Sequence, residues 1–277
     1  MAVEELLNLA RDTAIRAGAL AAQRRFEGVE VAASKSSPED IVTHADRETE
    51  ALIRSLLAEA RPQDGFFGEE SDADAGTSGL TWIVDPIDGT VNYLYGAPHY
   101  AVSIAVVEGD PDPASWRAIA GAVVNPAIDE VYSASAGGGA HLGARRLRVI
   151  EAELPLALVG TGFAYSAETR REQAEVLVQL ISKVRDIRRA GTASLDLCAV
   201  ATGRINAYYE RGLAPWDHAA GALIAEEAGA TVTGLRGAPA GREFLLAAPP
   251  RLAATLETLL AALHPSQESL GIQALFR

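Results

Sequence analysis

The chain has 277 residues, with 24 Lys and Arg against 37 Asp and Glu, so its formal charge is −13 with histidine neutral. With 48% apolar and 22% charged residues, the composition is that of an ordinary globular protein and excludes the disordered and fibrous classes. The acidic balance argues against nonspecific binding to nucleic acid or to an anionic membrane surface, since both need surplus basic residues, and an anionic substrate would need a mediator of opposite charge.

Two N-terminal helices are predicted by apolar residues at a spacing of three and four positions. The first stripe runs over residues 3–17. The second follows Thr43-His44-Ala45-Asp46, which has the pattern of a capping box, and ends before Pro62. Each helix has one apolar face, so we expect the two helices to pack as a pair.

Strands are predicted next, where β-branched and apolar residues form short runs. Two such runs cover residues 81–84 and 101–107, and two more, 118–124 and 131–134, flank the turn at Asn125-Pro126 as a hairpin. We therefore expect residues 1–150 to form an α+β region built on an antiparallel sheet.

Strands and helices alternate from about residue 156. Strands are predicted over 156–159, 205–209 and 244–247, and helices over 167–183, around 195–200, and over 216–228 and 251–263. This alternation is typical of a layered α/β unit. We place a second region at 151–264 and a loose tail at 265–277. The second region is expected to complete a functional site whose other residues lie in the first region.

The cysteine count and the N-terminus bear on location. The single cysteine, Cys198, cannot form an internal disulfide, which fits a reducing compartment. The first residues lack the basic and apolar regions of a signal peptide, and no run approaches the ~18 apolar residues of a membrane span. We expect a cytoplasmic protein that does not associate with membranes.

The stretch Asp85-Pro86-Ile87-Asp88-Gly89-Thr90 carries the strongest chemical signal. Asp85 stands where a buried strand is expected to end, and Asp88 follows in a turn. Gly89 and Thr90 then open a short helix, whose free backbone N–H groups suit a phosphate. Alone, the Asp-x-x-Asp pattern is more often an ordinary turn with a helix cap. Two further carboxylates, Glu69 and Asp217, also stand beside aromatic residues, which favours a shared site.

Four blocks of the sequence, in register, resemble the inositol monophosphatase family of magnesium-dependent, lithium-sensitive phosphatases, and most of all its bacterial members. The blocks are Gly68-Glu69-Glu70-Ser71, Asp85 to Thr90 with Asn92, Gly191-Thr192-Ala193, and the long run from Ala201 through Glu210 and Asp217 to Gly229. Lys35 and the segment from Asp40 to Asp46 also match. The resemblance implies an α/β fold, the layered αβαβα sandwich of the sugar phosphatases.

The resemblance also implies a magnesium site with two or three Mg²⁺ ions. One ion would be held by Glu69, Asp85 and the carbonyl of Ile87, a second by Asp85, Asp88 and Asp217, and a weaker third by Glu69. Electrostatics supports bound metal ions at this site. Each pair of like charges at 4 Å repels by about 4 kcal/mol at an effective dielectric of 20, so four carboxylates brought together would need divalent cations to balance them. Oxygen ligands favour Mg²⁺, Mn²⁺ or Ca²⁺ over zinc. Inhibition by Li⁺ and Ca²⁺ is expected.

Roles in catalysis and substrate binding follow from the same resemblance. Glu69 and Thr90 would orient and deprotonate a water that attacks phosphorus in line, with Asp88 as the third catalytic residue. The expected substrate-binding residues are Asp88, Gly89, Thr90, Gly191, Thr192, Ala193, Glu210 and Asp217. For Glu210, a strand-end residue facing solvent is the competing interpretation. Lys35 and Asp46 are expected to be outer partners of the site.

The expected reaction is hydrolysis of a small phosphorylated polyol, first of all myo-inositol 1-phosphate. Fructose 1,6-bisphosphatase, histidinol-phosphate phosphatase and 3′-phosphoadenosine phosphatase activities remain open, because the residues near Val91, Ala164 and 211–215 depart from the family pattern. A hypothesis of another class is a noncatalytic binding module for transcription complexes. The resemblance also implies a homodimer.

Overall fold

The computed structural model describes residues 3–29, 31–34 and 41–264. Lys35 and the predicted tail, residues 265–277, lie outside the described residues. The helices are α1 Val3–Glu27, α2 His44–Ala60, α3 Thr90–Tyr95, α4 Ala167–Leu180, α5 Ala193–Thr202, α6 Pro215–Glu227 and α7 Pro250–Leu263. The strands are β1 Val31–Ser34, β2 Ile41–Thr43, β3 Gly65–Gly68, β4 Leu80–Asp88, β5 Ala101–Glu108, β6 Arg117–Asn125, β7 Glu130–Ser135, β8 Gly139–Leu142, β9 Arg145–Arg146, β10 Leu158–Thr161, β11 Asp186–Arg188, β12 Ala207–Glu210, β13 Thr231–Thr233 and β14 Leu245–Ala248.

The two predicted N-terminal helices form and pack against each other. The capping box at the start of α2 is present, since the Thr43 hydroxyl accepts from the Asp46 backbone N–H and the Asp46 carboxylate accepts from the Thr43 N–H at 2.8 Å. No helix in the described part of the chain is long and apolar enough to cross a membrane.

The larger sheet has seven strands in the order β3-β4-β5-β6-β7-β8-β9. Every neighbouring pair from β4 to β9 is antiparallel, as predicted. The pair β3 and β4 is parallel, which corrects the expectation of an entirely antiparallel sheet. The connection over residues 69–79 returns the chain to the end of the sheet where β3 began, so the two strands run in the same direction.

The larger sheet is buried on both faces, which explains why β5 is apolar from Ala101 to Val107 except at Ser103. Ile104 and Val106 face the core shared with α1 and α2, whereas Ala105 and Val107 face the core shared with α5 and α6. Alternate residues of one strand therefore belong to two different cores.

The smaller sheet has five strands in the order β11-β10-β12-β14-β13. β10 runs parallel to β11 and β12, and β14 runs antiparallel to β12 and β13. Its outer face is covered by α4 and α7 through Leu180 and Leu256, and its inner face meets α5 through Leu197. The first predicted strand of this part starts two residues late, at Leu158, because Leu154–Leu156 forms a 3₁₀ turn around Pro155.

Helices α5 and α6 separate the two sheets. Their approach is close, since a Cβ on Gly121 of β6 would lie 3.2 Å from the Cα of Ala220 in α6, and one on Gly221 would lie 2.9 Å from the Cβ of Leu197 in α5. The layers are thus α1 with α2, the seven-stranded sheet, α5 with α6, the five-stranded sheet, and α4 with α7. This order confirms the predicted αβαβα sandwich.

Candidate active site

Asp85 and Asp88 reach one cavity because β4 contains a bulge between them. Asp85 pairs with Ser103 of β5 and Asp88 with Ala101, so β4 has one residue more than its partner in this interval. The bulge changes the alternation of the pleat, which would otherwise direct residues three apart to opposite faces. The strand therefore continues to Asp88, which corrects the prediction that it ends at Asp85. Only 2% of Asp85 and 8% of Asp88 is exposed.

Gly89 joins β4 to α3 at a position that only glycine fits. Its φ is +89°, and a Cβ there would overlap the hydroxyl of Thr192. That hydroxyl in turn donates to the carbonyl of His99 at 2.7 Å. The start of α3 therefore lies directly against the segment that leads into α5.

Asn92 fastens the same two segments together. Its side-chain amide donates to the carbonyl of His99 at 2.7 Å and to the carbonyl of Ala190 at 2.9 Å. The sequence showed Asn92 as part of a motif but gave no role for its side chain, since both acceptors are backbone groups that only folding brings near.

Glu69 follows β3, and the backbone beside it is held by α2. The buried carboxylate of Glu50 accepts from the Glu70 backbone N–H at 2.8 Å. Gly68 leaves room for this contact, because a Cβ there would overlap the Glu50 carboxylate. The position of Glu69 is thus set by a buried acid that the sequence analysis did not identify.

Asp217 lies in the first turn of α6, as the sequence predicted. Its carboxylate accepts from the Ala214 backbone N–H at 2.6 Å, which caps the helix. The neighbouring Trp216 ring meets Phe67 of β3 edge to face, with centroids 5.3 Å apart. This aromatic contact joins the start of α6, which carries Asp217, to the end of β3, which Glu69 follows.

One cavity of about 770 Å³ unites nearly all of the predicted site. Its lining includes Glu69, Asp85, Ile87, Asp88, Gly89, Thr90, Gly191, Thr192, Ala193, Glu210 and Asp217. Asp46 does not line it, but its carboxylate lies 3.2 Å from the hydroxyl of Thr90, which is also 3.1 Å from the carbonyl of Ile87.

The acidic side chains of the cavity oppose one another electrostatically. Burial raises the pKa of Asp85 well above its usual value, and the charges of Glu69, Asp88 and Asp217 raise it further. The pKa of Asp217 is raised well above normal by burial and then by Asp88 and Glu69. Burial raises the pKa of Asp88 to about 6, although the hydrogen bond from Ser194 opposes this shift. Burial and like charge therefore both favour the protonated form of these carboxyls.

The acidic side chains do not form a ready-made cage. Within the described ranges, no three Asp, Glu, His or Cys side chains are already grouped so that they could hold a metal ion. They line one cavity, and their charges raise one another's pKa values.

Glu210 lies at the end of β12 and lines the cavity, so it is not the solvent-facing strand end of the competing interpretation. Burial raises its pKa to about 7, while a hydrogen bond from Tyr208 and the charge of Arg189 act in the opposite direction. Asp196, buried in α5, has a pKa raised well above normal by burial and by Glu210 and Asp88.

Three arginines of the cavity lining, Arg189, Arg211 and Arg242, were not predicted. Arg211 pairs with Glu172 at 3.3 Å. The sequence contains no signal for this grouping, because the three residues come from separate loops and no local pattern distinguishes them from other surface arginines.

Comparison with known proteins agrees with the four motifs. The model of the inositol monophosphatase family matches residues 2–271. The chain is 46% identical over 261 residues to the inositol-1-monophosphatase SuhB of Mycobacterium tuberculosis, covering 90% of this chain and 87% of that protein. A Vibrio cholerae protein named Nus factor SuhB is 37% identical over 236 residues, covering 84% and 86%.

A solved structure agrees as well. The extragenic suppressor protein suhB of Bartonella henselae superposes with a TM-score of 0.85 at 35% identity, over 92% of this chain and 98% of that one. The family consists of phosphatases and is in general metal-dependent, which confirms the prediction of a phosphatase. The fold, the motifs and these matches together show that the chain belongs to the inositol monophosphatase family.

Proposed function

We propose that this protein hydrolyses the phosphate monoester of a small polyol, principally myo-inositol 1-phosphate, with Mg²⁺ as the required cofactor. The observation that carries the proposal is the convergence of Glu69, Asp85, Asp88 and Asp217 on one cavity beside the starts of α3 and α5. The names of the relatives, inositol-1-monophosphatase among them, support the same substrate.

The donor set fits magnesium. Of the described residues that line the cavity, none is His or Cys, and the acidic ones offer hard oxygen atoms. Glu69, Asp85 and the Ile87 carbonyl would hold one ion, Asp85, Asp88 and Asp217 a second, and Glu69 a weaker third. The bound ions would supply the positive charge that polarises the phosphoryl oxygens and lowers the pKa of a bound water.

The chain itself orients the attacking water. The Thr90 hydroxyl can donate to Asp46 or to the Ile87 carbonyl, which leaves its oxygen free to accept a hydrogen bond from the water. Glu69, which lines the same cavity, would be the base that takes the proton from that water. Because Asp85, Asp88 and Asp217 serve as ligands, none of them is a free nucleophile, and no covalent phosphoenzyme is expected.

The substrate is held at both of its ends. The backbone N–H groups of Gly89 and Thr90, at the start of α3, are donors for the phosphate. Asp88, Glu210 and the backbone at Ala193 face the polyol, with Gly191 and Thr192 shaping the wall between them. Carboxylates accept hydrogen bonds from hydroxyl groups, so the leaving alcohol is expected to carry several hydroxyls.

A second candidate function is suggested by one relative. The Vibrio cholerae protein that is 37% identical is named a Nus factor, so this chain could also take part in a transcription complex. Such a role needs surfaces rather than the acidic cavity. We further propose that the protein is cytoplasmic. We also propose that it forms a homodimer, and the molar mass of the purified chain, measured by light scattering, would test this.

A panel of phosphate esters assayed with and without Mg²⁺ tests the proposed substrate. We expect myo-inositol 1-phosphate to be hydrolysed with the highest kcat/KM, ahead of fructose 1,6-bisphosphate, histidinol phosphate and 3′-phosphoadenosine 5′-phosphate. A higher kcat/KM for one of these three would transfer the assignment to that ester. No magnesium-dependent turnover of any ester would refute the enzymatic proposal.

A further inference from the structure

Tyr208 and Glu210 form a pair on one face of β12. The side chain of Tyr208 has no exposure to solvent, and its hydroxyl donates to Oε2 of Glu210. Residues two apart in a strand project from the same face. Tyr208 therefore stands behind Glu210, between the cavity and the core formed with Leu197 and Leu245.

Gly162 confines the carboxylate from another direction. A Cβ at Gly162 would overlap both oxygens of the Glu210 carboxylate, so no larger residue fits there without moving Glu210. The Glu210 carboxylate is thus held between the backbone of Gly162 and the hydroxyl of Tyr208. Neither residue has been given a role by the proposed mechanism.

We infer that Tyr208 is a positioning residue for polyol recognition: it occupies Oε2 of Glu210 and thereby directs Oε1 toward a hydroxyl of the substrate. The inference rests on the proposed function of Glu210 as a hydroxyl acceptor. Burial raises the pKa of Tyr208 well above its usual value, so its hydroxyl keeps its proton and is the donor near neutral pH. Above about pH 7, where Glu210 is ionised, this hydrogen bond has a charged acceptor and is stronger than one between neutral groups.

A purely structural tyrosine would behave differently. Phenylalanine fills nearly the same volume in the core, so a structural role predicts no change in substrate recognition for Tyr208→Phe. If Tyr208 acts through Glu210, the loss of its hydroxyl frees the carboxylate to turn and weakens the contact with the polyol. The loss should then appear only with substrates whose leaving group carries hydroxyls.

The test compares kinetic constants on two esters. For Tyr208→Phe we expect KM for myo-inositol 1-phosphate to rise about tenfold, with kcat and the hydrolysis of p-nitrophenyl phosphate, which has no leaving-group hydroxyls, within about twofold of the parent. Tyr209→Phe is the matched control. Tyr209 is also buried in β12 but packs on Phe244 in a different core, so both substrates should be unaffected.

The Glu210→Gln variant and the double variant separate the possible failures. If Tyr208 acts only through Glu210, the double variant should be no worse than Glu210→Gln alone. An unchanged KM for Glu210→Gln would refute the proposed role of Glu210 itself. A raised KM for Glu210→Gln together with an unchanged KM for Tyr208→Phe, or an equal loss on both esters in folded Tyr208→Phe, would overturn the inference about Tyr208 alone.

Discussion

Asp88 accepts a hydrogen bond from the backbone N–H of Ser194 at 2.8 Å, although 106 positions separate them in the sequence. Asp88 belongs to the bulged end of β4 in the seven-stranded sheet, and Ser194 to the first turn of α5 in the next layer. The contact places the acidic cavity where these two layers meet. A change at Asp88 therefore acts on charge and on the junction of the layers together.

Replacing Asp88 by asparagine keeps the volume of the side chain but removes one negative charge and one proposed metal ligand. We expect kcat for myo-inositol 1-phosphate to fall by at least about a hundredfold, with a melting temperature that shows the protein still folded. Asp110→Asn, on an exposed loop, is the control and should keep full activity. A normal rate for Asp88→Asn would show that the site is assigned wrongly. A transcription-complex role, by contrast, should survive the substitution.

Gly89→Ala tests whether the start of α3 needs both a positive φ and an empty position. We expect a loss of about 1–3 kcal/mol of stability together with a loss of activity of at least about tenfold, because the new Cβ displaces Thr192. Gly79→Ala is matched, since Gly79 has a φ of +82° with nothing within 4 Å. It should lose stability alone. Urea unfolding and kcat/KM would be measured for both, and equal activity of the two variants would contradict the argument.

The stability of the metal-free protein should fall as the pH rises. Burial raises the pKa of Asp46 and Asp88 to about 6 and that of Glu210 to about 7. A carboxyl with a raised pKa binds its proton more tightly when folded, so its contribution is full below the unfolded pKa, near 4, and is lost through pH 6–7.

The matching measurement is a set of melting temperatures between pH 5.5 and 8 after removal of divalent ions. We expect a higher melting temperature at pH 5.5 than at pH 8, and recovery at pH 8 when Mg²⁺ is added, because the cation replaces the missing protons. A metal-free protein that is most stable at pH 8 would show that burial does not raise the pKa of these carboxyls as described.

Other cations should inhibit the enzyme. Ca²⁺ accepts more oxygen ligands and a looser geometry than Mg²⁺, so excess Ca²⁺ would occupy the same carboxylates without the compact arrangement that the reaction needs. Li⁺ is expected to enter a weakly held cation position near the product phosphate. Initial rates in saturating Mg²⁺ with added LiCl or CaCl₂, at matched ionic strength in KCl, would measure this. Rates equal to the KCl control would contradict the prediction.

The sequence predicted most of the buried elements and most of the cavity, for a physical reason. The apolar run of β5 and the capping box before α2 are local patterns, and the segment from Asp85 to Thr90 folds as a continuous unit. By contrast, the bulge in β4 depends on its register with β5, and the parallel pairing of β3 depends on the path of a loop. Neither the bulge nor the parallel pairing can be predicted from a local sequence pattern.

The supporting contacts of the site were also beyond local patterns. Glu50, on α2, holds the backbone beside Glu69, and Asn92 donates to the carbonyl of Ala190, 98 positions away. Both depend on which segments meet in the folded protein. Lys35, predicted to be an outer partner of the site, stays a prediction because it lies outside the described residues.

The central claim is that divalent cations allow an acidic cavity to accept an anionic ester. Its most direct test is the rate of phosphate release from myo-inositol 1-phosphate before removal of divalent ions, after exhaustive chelation, and after Mg²⁺ is returned. The account predicts that activity disappears on chelation and recovers with Mg²⁺ but not with K⁺ at the same ionic strength. An unchanged rate in the thoroughly chelated protein would contradict it.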